Sequence, residues 1–338
     1  MAARFRYPKR HDAIHDCDVF DVLWLGSPVT STGYKLVQLA NGARGVHSLA
    51  HGETMHPVIG PAAEATALYV HQLRLVERIR EVGGEFVIWD VGLGAAANAL
   101  AVFRATRRLS CAIRLVSFDH TLEPLHFALK HTKALGYFGG YESQAQTLLE
   151  KHGVKFRDAD QRVEWELRQV DFPSWLAASP VRRANESQCS AGILPAGETE
   201  KSSVNGIESL PAPHGIMFDP FSPAKNPAMW TLPLFSNLFR LLDPTRPCAL
   251  STYSRSTMTR AALLLAGFYV GAGRPSGAKE ETTIAANSIE LIREPLDRRW
   301  LERARRSHGA EPLHEPVYRQ ARLCRSTWEG LQGHPQFR

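Results

Sequence analysis

Residues 215–230 constrain the fold more than any other stretch of this chain. Gly215-Ile216-Met217-Phe218 is an apolar run with the length of a buried strand, and it ends in an acid, Asp219. Three prolines follow within eight residues, Pro220, Pro223 and Pro227. Proline fixes φ and removes an amide donor, and it drives the residue before it into an extended conformation. Asp219 is therefore held on a stiff loop at a strand's carboxyl end. In open α/β sheets that edge is where ligands bind.

The flanking sequence supplies such a sheet. Apolar runs at 85–91, 111–118, 163–170, 216–218 and 248–253 read as strands. Between them lie helical patterns at 95–106, 123–135, 142–152, 229–242 and 257–266. Alternation of this kind predicts an α/β fold with a doubly wound, mostly parallel sheet. The runs 268–270 and 282–286 predict a terminal antiparallel hairpin. Upstream, an alanine-rich amphipathic helix over 62–82 stops at Gly83-Gly84. Short β-like runs at 19–25, 34–39 and 45–49, with Asn41-Gly42 as a hairpin cue, predict a small β cap behind a polar arm. The expected organisation is an arm and cap over 1–60, a Rossmann-like domain over 61–292 and a basic helical extension over 293–338, ending in a weakly ordered tail. Residues 182–213 are rich in Ser, Gly, Ala, Glu and Pro without periodicity, the composition of a disordered insert.

The chain has 338 residues, 44% hydrophobic and 22% charged, as in ordinary globular proteins. The net charge of +6 fits either simple solubility or a polyanionic partner. The excess is uneven, because residues 293–338 hold ten Arg and no Lys against six acids. Arginine's bidentate geometry suits phosphate. Five scattered cysteines without a CxxC pair argue against a disulfide framework or a structural zinc site. No apolar stretch approaches a membrane span, and the N-terminus lacks a signal-peptide core, so a cytoplasmic setting is expected.

A second ligand-binding pattern lies in 86–98. The strand ends in Asp90 and runs into Gly92-Leu93-Gly94 and a helix start. Glycines there permit the tight turn and a ligand's close approach to the backbone. The next strand ends in Asp119, a carboxylate placed to meet a ribose diol. A dinucleotide is the first rival, but the third glycine is absent and an acid precedes the turn. Asp171, after the third strand, is equally a helix N-cap for Pro173-Ser174-Trp175. His47, His51 and His56 cluster with Glu53, but Gly52 and Pro57 break any helix that would align them as ligands; no metal is expected, and the stretch reads instead as a loop lining the ligand pocket.

The stretch Asp219-Pro220-Phe221-Ser222-Pro223-Ala224-Lys225-Asn226-Pro227-Ala228-Met229-Trp230 closely resembles the Asp-Gly-Phe-(Ala/Ser)-Pro-Ala-Lys-Asn-Pro-(Asp/Glu)-Met-Trp signature of MnmC-type tRNA methyltransferases. Asp90 to Asn98 is similar to that family's Glu-Thr-Gly-Phe-Gly-Thr-Gly-Leu-Asn loop, with Asp90 in place of Glu and Ala96 in place of the third Gly. The likeness covers roughly residues 20–290 and is densest over 215–287. It implies a class I methyltransferase fold and S-adenosyl-L-methionine as cofactor. Asp90, Gly92, Gly94, Asn98, Asp119 and Asp171 fall on the cofactor side, Asp119 at the ribose hydroxyls and Asp171 at the adenine amine. The implied reaction is methylation of an aminomethyl group on the wobble uridine in the tRNA anticodon stem-loop, with no membrane and no obligate protein partner. Asp219 is the expected catalytic residue, orienting the amine and taking up its proton. Phe221 would stack on uracil or sit in the core beneath the loop. Lys225 would meet phosphate or pair on the surface. Asn226 and Trp230 would contact substrate or only brace the loop, and Lys279 precedes the last strand as in stand-alone relatives. The bifunctional relatives add a flavin-dependent oxidase domain, and since no second nucleotide fingerprint is present, no flavin is expected here. Two rival readings remain: a methyltransferase of the same fold acting on another amine, and a non-catalytic RNA-binding protein.

Overall fold

Along residues 85–91 successive side chains alternate between two apolar environments. Phe86 and Ile88 join one buried cluster, and Val87, Trp89 and Val91 join another. A strand of period two that is apolar on both faces must be covered on both. The computed structural model describes residues 33–180, 210–275 and 281–338 and shows that arrangement. In chain order the elements are β1 (Tyr34–Gln38), β2 (Arg44–Ser48), β3 (Glu53–Thr54), α1 (Pro61–Ala65), a π-helical turn Thr66–His71, α2 (Leu75–Val82), β4 (Glu85–Val91), α3 (Ala97–Thr106), β5 (Ala112–Asp119), α4 (Glu123–Lys130), α5 (Thr132–Leu135) and α6 (Glu142–Lys151). They continue with β6 (Gly153–Asp158), β7 (Gln161–Gln169), α7 (Phe172–Ala178), β8 (Gly215–Phe218), a 3-10 turn Pro227–Trp230, α8 (Leu232–Leu241), β9 (Ala249–Thr252), α9 (Thr257–Leu265), β10 (Tyr269–Gly273), β11 (Thr282–Ala286), α10 (Arg298–Arg306) and α11 (Arg325–Gly333).

The main sheet has the order β10-β11-β9-β8-β4-β5-β7-β6. Strands β7, β5, β4, β8 and β9 run parallel. β11 lies antiparallel between β9 and β10, which places the expected terminal hairpin at one edge. The strand order reverses between β4 and β8, so a crevice opens at their carboxyl ends. That is the sheet of a class I methyltransferase. β1, β2 and β3 form a separate antiparallel sheet.

Four features depart from the sequence reading. The helix expected over 62–82 is interrupted, first by the π-helical turn and then by Arg74 in a left-handed conformation (φ 51). β6, unexpected, pairs antiparallel with β7 on the far edge. Of the insert over 182–213, the described residues 210–213 are packed: Leu210 and Ala212 are buried and Arg246 donates to the Ala212 carbonyl. The strand expected at 19–25 lies outside the described residues.

The fourth departure is the C-terminus, where a weakly ordered tail was expected. Instead Leu331 and Phe337 are buried, and Phe337 stacks on Trp300 of α10. Gln336 accepts from the Val270 amide and donates to the Val270 carbonyl, both at 2.7 Å. It thus gives the Val270 amide its partner on the outer edge of β10, beside residues 294–296, where the Leu296 amide donates to the Val270 carbonyl and the Glu294 carbonyl accepts from the Ala272 amide.

Candidate active site

Every parallel strand ends at one large cavity, about 1330 Å³, roofed by the three-stranded cap. The turn after β4 forms its floor. Gly92 and Gly94 both take positive φ, 95° and 51°. A Cβ on Gly92 would lie 2.8 Å from the Asp219 carbonyl oxygen, so the two loops approach each other only because this residue is glycine. Ala96, at the position of the resembling family's third glycine, retains the left-handed backbone (φ 64) that glycine favours.

Asp119 lines the cavity, and its Oδ2 accepts from the Gly94 amide at 2.9 Å, tying the end of β5 to the glycine turn. His120 lies beside it, and the hydrogen bond that its imidazole donates to Asp119 raises the imidazole's pKa. Asp171 is the N-cap of α7, accepting from the Ser174 amide at 3.1 Å, and it also lines the cavity. Capping and ligand contact are therefore compatible. Asp90 does not line the cavity. It is fully buried under the turn, where Oδ2 accepts from Ser117 at 2.8 Å and Oδ1 has no partner. Burial, aided by the nearby Asp219 charge, pushes its pKa up to about 8, so it is largely protonated at neutral pH.

Asp219 stands opposite, its carboxylate 15% exposed. Oδ2 accepts from Asn98 Nδ2 at 2.9 Å and meets His56 Nε2 at 3.2 Å. Asn98 Oδ1 in turn lies 3.1 Å from the same imidazole nitrogen. Asn98, expected on the cofactor side, thus binds the acceptor-side acid. The Tyr69 hydroxyl faces the same carboxylate. Burial would raise the pKa of Asp219, but the His56 charge and these hydrogen bonds outweigh it and hold the carboxyl below its usual value. For His56 burial alone would lower the pKa; Asp219 overrides it and brings the imidazole up to about 9.

Three anchors fix the loop carrying Asp219. Tyr253 donates to the Pro220 carbonyl at 2.9 Å, and Trp230 Nε1 donates to the Phe221 carbonyl at 2.8 Å. Glu53 on β3 accepts from both the amide (3.0 Å) and the hydroxyl of Ser222. Trp230 is fully buried and does not line the cavity; of the two roles considered for it, the structure shows bracing. Phe221 and Asn226 do line it, Phe221 with one face stacked on His51 at 4.0 Å. Lys225 is exposed outside the cavity lining. Lys279 lies outside the described residues. Sequence reasoning missed His56 and Glu53 as members of this network. The histidine-rich stretch 47–56 lines the cavity as expected, but its pattern gave no sign of the contacts to Asp219 and Ser222.

These residues suit S-adenosyl-L-methionine. Asp119 offers a carboxylate for hydroxyls, Asp171 one for an amine, and Leu93, Phe118, Val170 and Phe172 an apolar wall between them. The sheet and the site define a class I, S-adenosyl-L-methionine-dependent methyltransferase. The model of a family described as S-adenosyl-L-methionine-dependent methyltransferases matches residues 204–288. Within that class the chain is similar to proteins named MnmC. It is 26% identical over 235 residues to the tRNA 5-methylaminomethyl-2-thiouridine biosynthesis bifunctional protein MnmC of Pseudoalteromonas atlantica, covering 68% of this chain and 30% of that protein. The MnmC of Vibrio vulnificus strain YJ016 is 26% identical over 258 residues, 72% of this chain and 34% of its own. The chain spans about a third of these relatives' length, matching their methyltransferase part. The crystal structure of MnmC2 from Aquifex aeolicus shares the fold, with a TM-score of 0.59 and 21% identity over 84% of this chain and 80% of that one.

Proposed function

We propose that this protein transfers a methyl group from S-adenosyl-L-methionine to the aminomethyl nitrogen of a tRNA wobble uridine. The observation that carries the reading is Asp219, ionised and held on a triply anchored loop at the edge of the cofactor cavity. The cofactor supplies an electrophilic methyl on a sulfonium. Asp119, Asp171 and the Gly92–Gly94 turn would hold it. A primary amine attacks only as the free base, and the Asp219 carboxylate accepts one of its N–H bonds and fixes the direction of the lone pair. The transfer is redox-neutral, so it needs no flavin. Phe221 and His51 offer aromatic faces to an unstacked base in the anticodon loop, a recurrent mode of RNA recognition.

The test is methylation in vitro, with purified protein, a labelled methyl donor and tRNA bearing 5-aminomethyluridine, read by nucleoside mass spectrometry. The product is the 5-methylaminomethyl nucleoside. Asp219→Asn should lower kcat by roughly 10²–10³-fold, as loss of a positioned catalytic group does, with cofactor affinity by calorimetry nearly unchanged. Absence of that nucleoside with wild-type protein, while the cofactor still binds, would redirect the assignment to another amine. Absence of cofactor binding would leave an RNA-binding protein without this chemistry.

A further inference from the structure

Among the described residues the histidine-rich stretch 47–56 forms no metal-ligating cluster of three or more His, Cys, Asp or Glu. Its last member sits elsewhere. The backbone turns left-handed at His56 (φ 54), uncommon for a residue other than glycine. Its imidazole, 10% exposed, meets Asp219 Oδ2 at 3.2 Å and Asn98 Oδ1 at 3.1 Å. The charged and titratable groups that face this pair come from every element packed around it. Glu64 on α1 faces His56, while Tyr69 on the π-helical turn faces Asp219. Asp90 on β4 feels both partners, and Tyr253 after β9 feels Asp219. The surroundings are thus acidic or neutral, and His56 supplies the compensating positive charge.

That charge bears on the chemistry. In water an alkylamine is largely an ammonium ion and has no lone pair. A lone, poorly solvated carboxylate would bind the ammonium by Coulomb attraction and oppose loss of its proton. A carboxylate already paired with a cation exerts a much smaller net field, yet its remaining oxygen still accepts an N–H. We propose that His56, as an imidazolium, is a positioning residue that cancels the charge of Asp219, so that the acceptor amine is held as the free base in line with the methyl donor. The inference rests on the amine-methylation reading above. The ammonium loses one proton to water before attack. The nitrogen lone pair then forms the N–C bond, the C–S bond breaks with its electrons passing to sulfur, and the products are a secondary ammonium and a neutral thioether.

His56→Asn separates this role from a merely structural one, because Asn removes the charge and tolerates the left-handed backbone. The acidic limb of the kcat profile should move up by about one pH unit, equivalent to a tenfold loss at neutral pH. The rate should recover toward wild type in alkali, and KM for the aminomethyl tRNA should hold or fall. An unmoved limb, with kcat unchanged or equally reduced at every pH, would overturn the proposal. A variant that fails to fold leaves a second readout on intact protein, the His56 imidazole titration followed by 15N NMR. His56 should stay protonated through neutral pH in the wild type and titrate at least about one unit lower in Asp219→Asn. Titration in the wild type at the ordinary histidine value overturns the proposal whether or not tRNA is methylated. Wild-type protein that shows the raised titration but no methylation overturns the functional reading, and with it the role assigned to the pair.

Discussion

Ala96 shows how one residue records a compromise. The turn into α3 needs a left-handed backbone there, and alanine adopts it at φ 64 with its side chain fully buried. Left-handed conformations cost L-residues roughly 1–2 kcal/mol, against roughly 0.4–1 kcal/mol from the greater freedom of glycine in the unfolded chain. Ala96→Gly should therefore stabilise the protein modestly, by about 0.5–1 kcal/mol, as a rise in the urea midpoint at constant slope. A fall would mean that the Ala96 methyl contributes more by packing than its backbone costs. Asp119→Ala should act on ligand affinity instead. It removes a charged acceptor from the cavity and frees the Gly94 amide, so cofactor binding should weaken by roughly 1.5–3 kcal/mol, measured by calorimetry. An unchanged dissociation constant would place the cofactor away from β5. At this scale the sequence was informative wherever a residue type has few reasons to occur. An acid at a strand end before proline, or Gly-x-Gly after a strand, marks the site directly. Asp90 and Trp230 were harder, because alternation along a strand and packing within a loop decide which way a side chain points. His56 was hidden because its partners, Asn98 and Asp219, lie 42 and 163 positions away in the chain.

The elements hold the site together across equally long separations. β3 is only two residues long, yet Glu53 within it receives both polar groups of Ser222 and so clamps the cap to the Asp219 loop. Glu53→Ala should leave the sheet intact, since Glu53 contributes nothing to the two main core clusters. It should free the loop, lowering kcat by about tenfold or more through misplacement of the Asp219 carboxylate, with a smaller change in cofactor affinity. Equal kcat for variant and wild type would show that Tyr253 and Trp230 suffice as anchors. The central strands were legible because burial on both faces writes near-continuous apolar runs. β3 and β6 were not. A two-residue strand has no period, and β6 is a half-exposed edge whose pairing depends on β7 rather than on its own pattern. The break at 66–74 was equally silent, for alanine-rich sequence reads as one helix whatever the tertiary contacts impose.

For the molecule as a whole, the C-terminal extension carries one burden that its packing shows and a second that we propose. One is structural: Trp300, Leu301, Leu331 and Phe337 enter the core on one face of the sheet, and Gln336 completes the pairing that residues 294–296 begin along the β10 edge. Burying each large apolar side chain is worth roughly 1.5–3 kcal/mol, so losing Leu331 and Phe337 and exposing Trp300 removes several kcal/mol. That approaches the roughly 5–15 kcal/mol available to a whole domain. Truncation after residue 323 should therefore abolish the cooperative thermal transition or drive aggregation through the uncovered apolar face. The other burden is electrostatic. Arg305 lies over Trp328 at 5.0 Å and serves packing, whereas Arg303 and Arg306 are exposed on the same helix. If that face meets tRNA phosphates, replacing Arg303 and Arg306 together by Ala should reduce the slope of log K against log salt by about 0.9 for each phosphate that is no longer neutralised. The melting temperature and cofactor affinity should stay near those of wild type. Superimposable salt plots for variant and wild type would confine the extension to its structural role, and a lowered melting temperature would show that the two burdens share the same arginines.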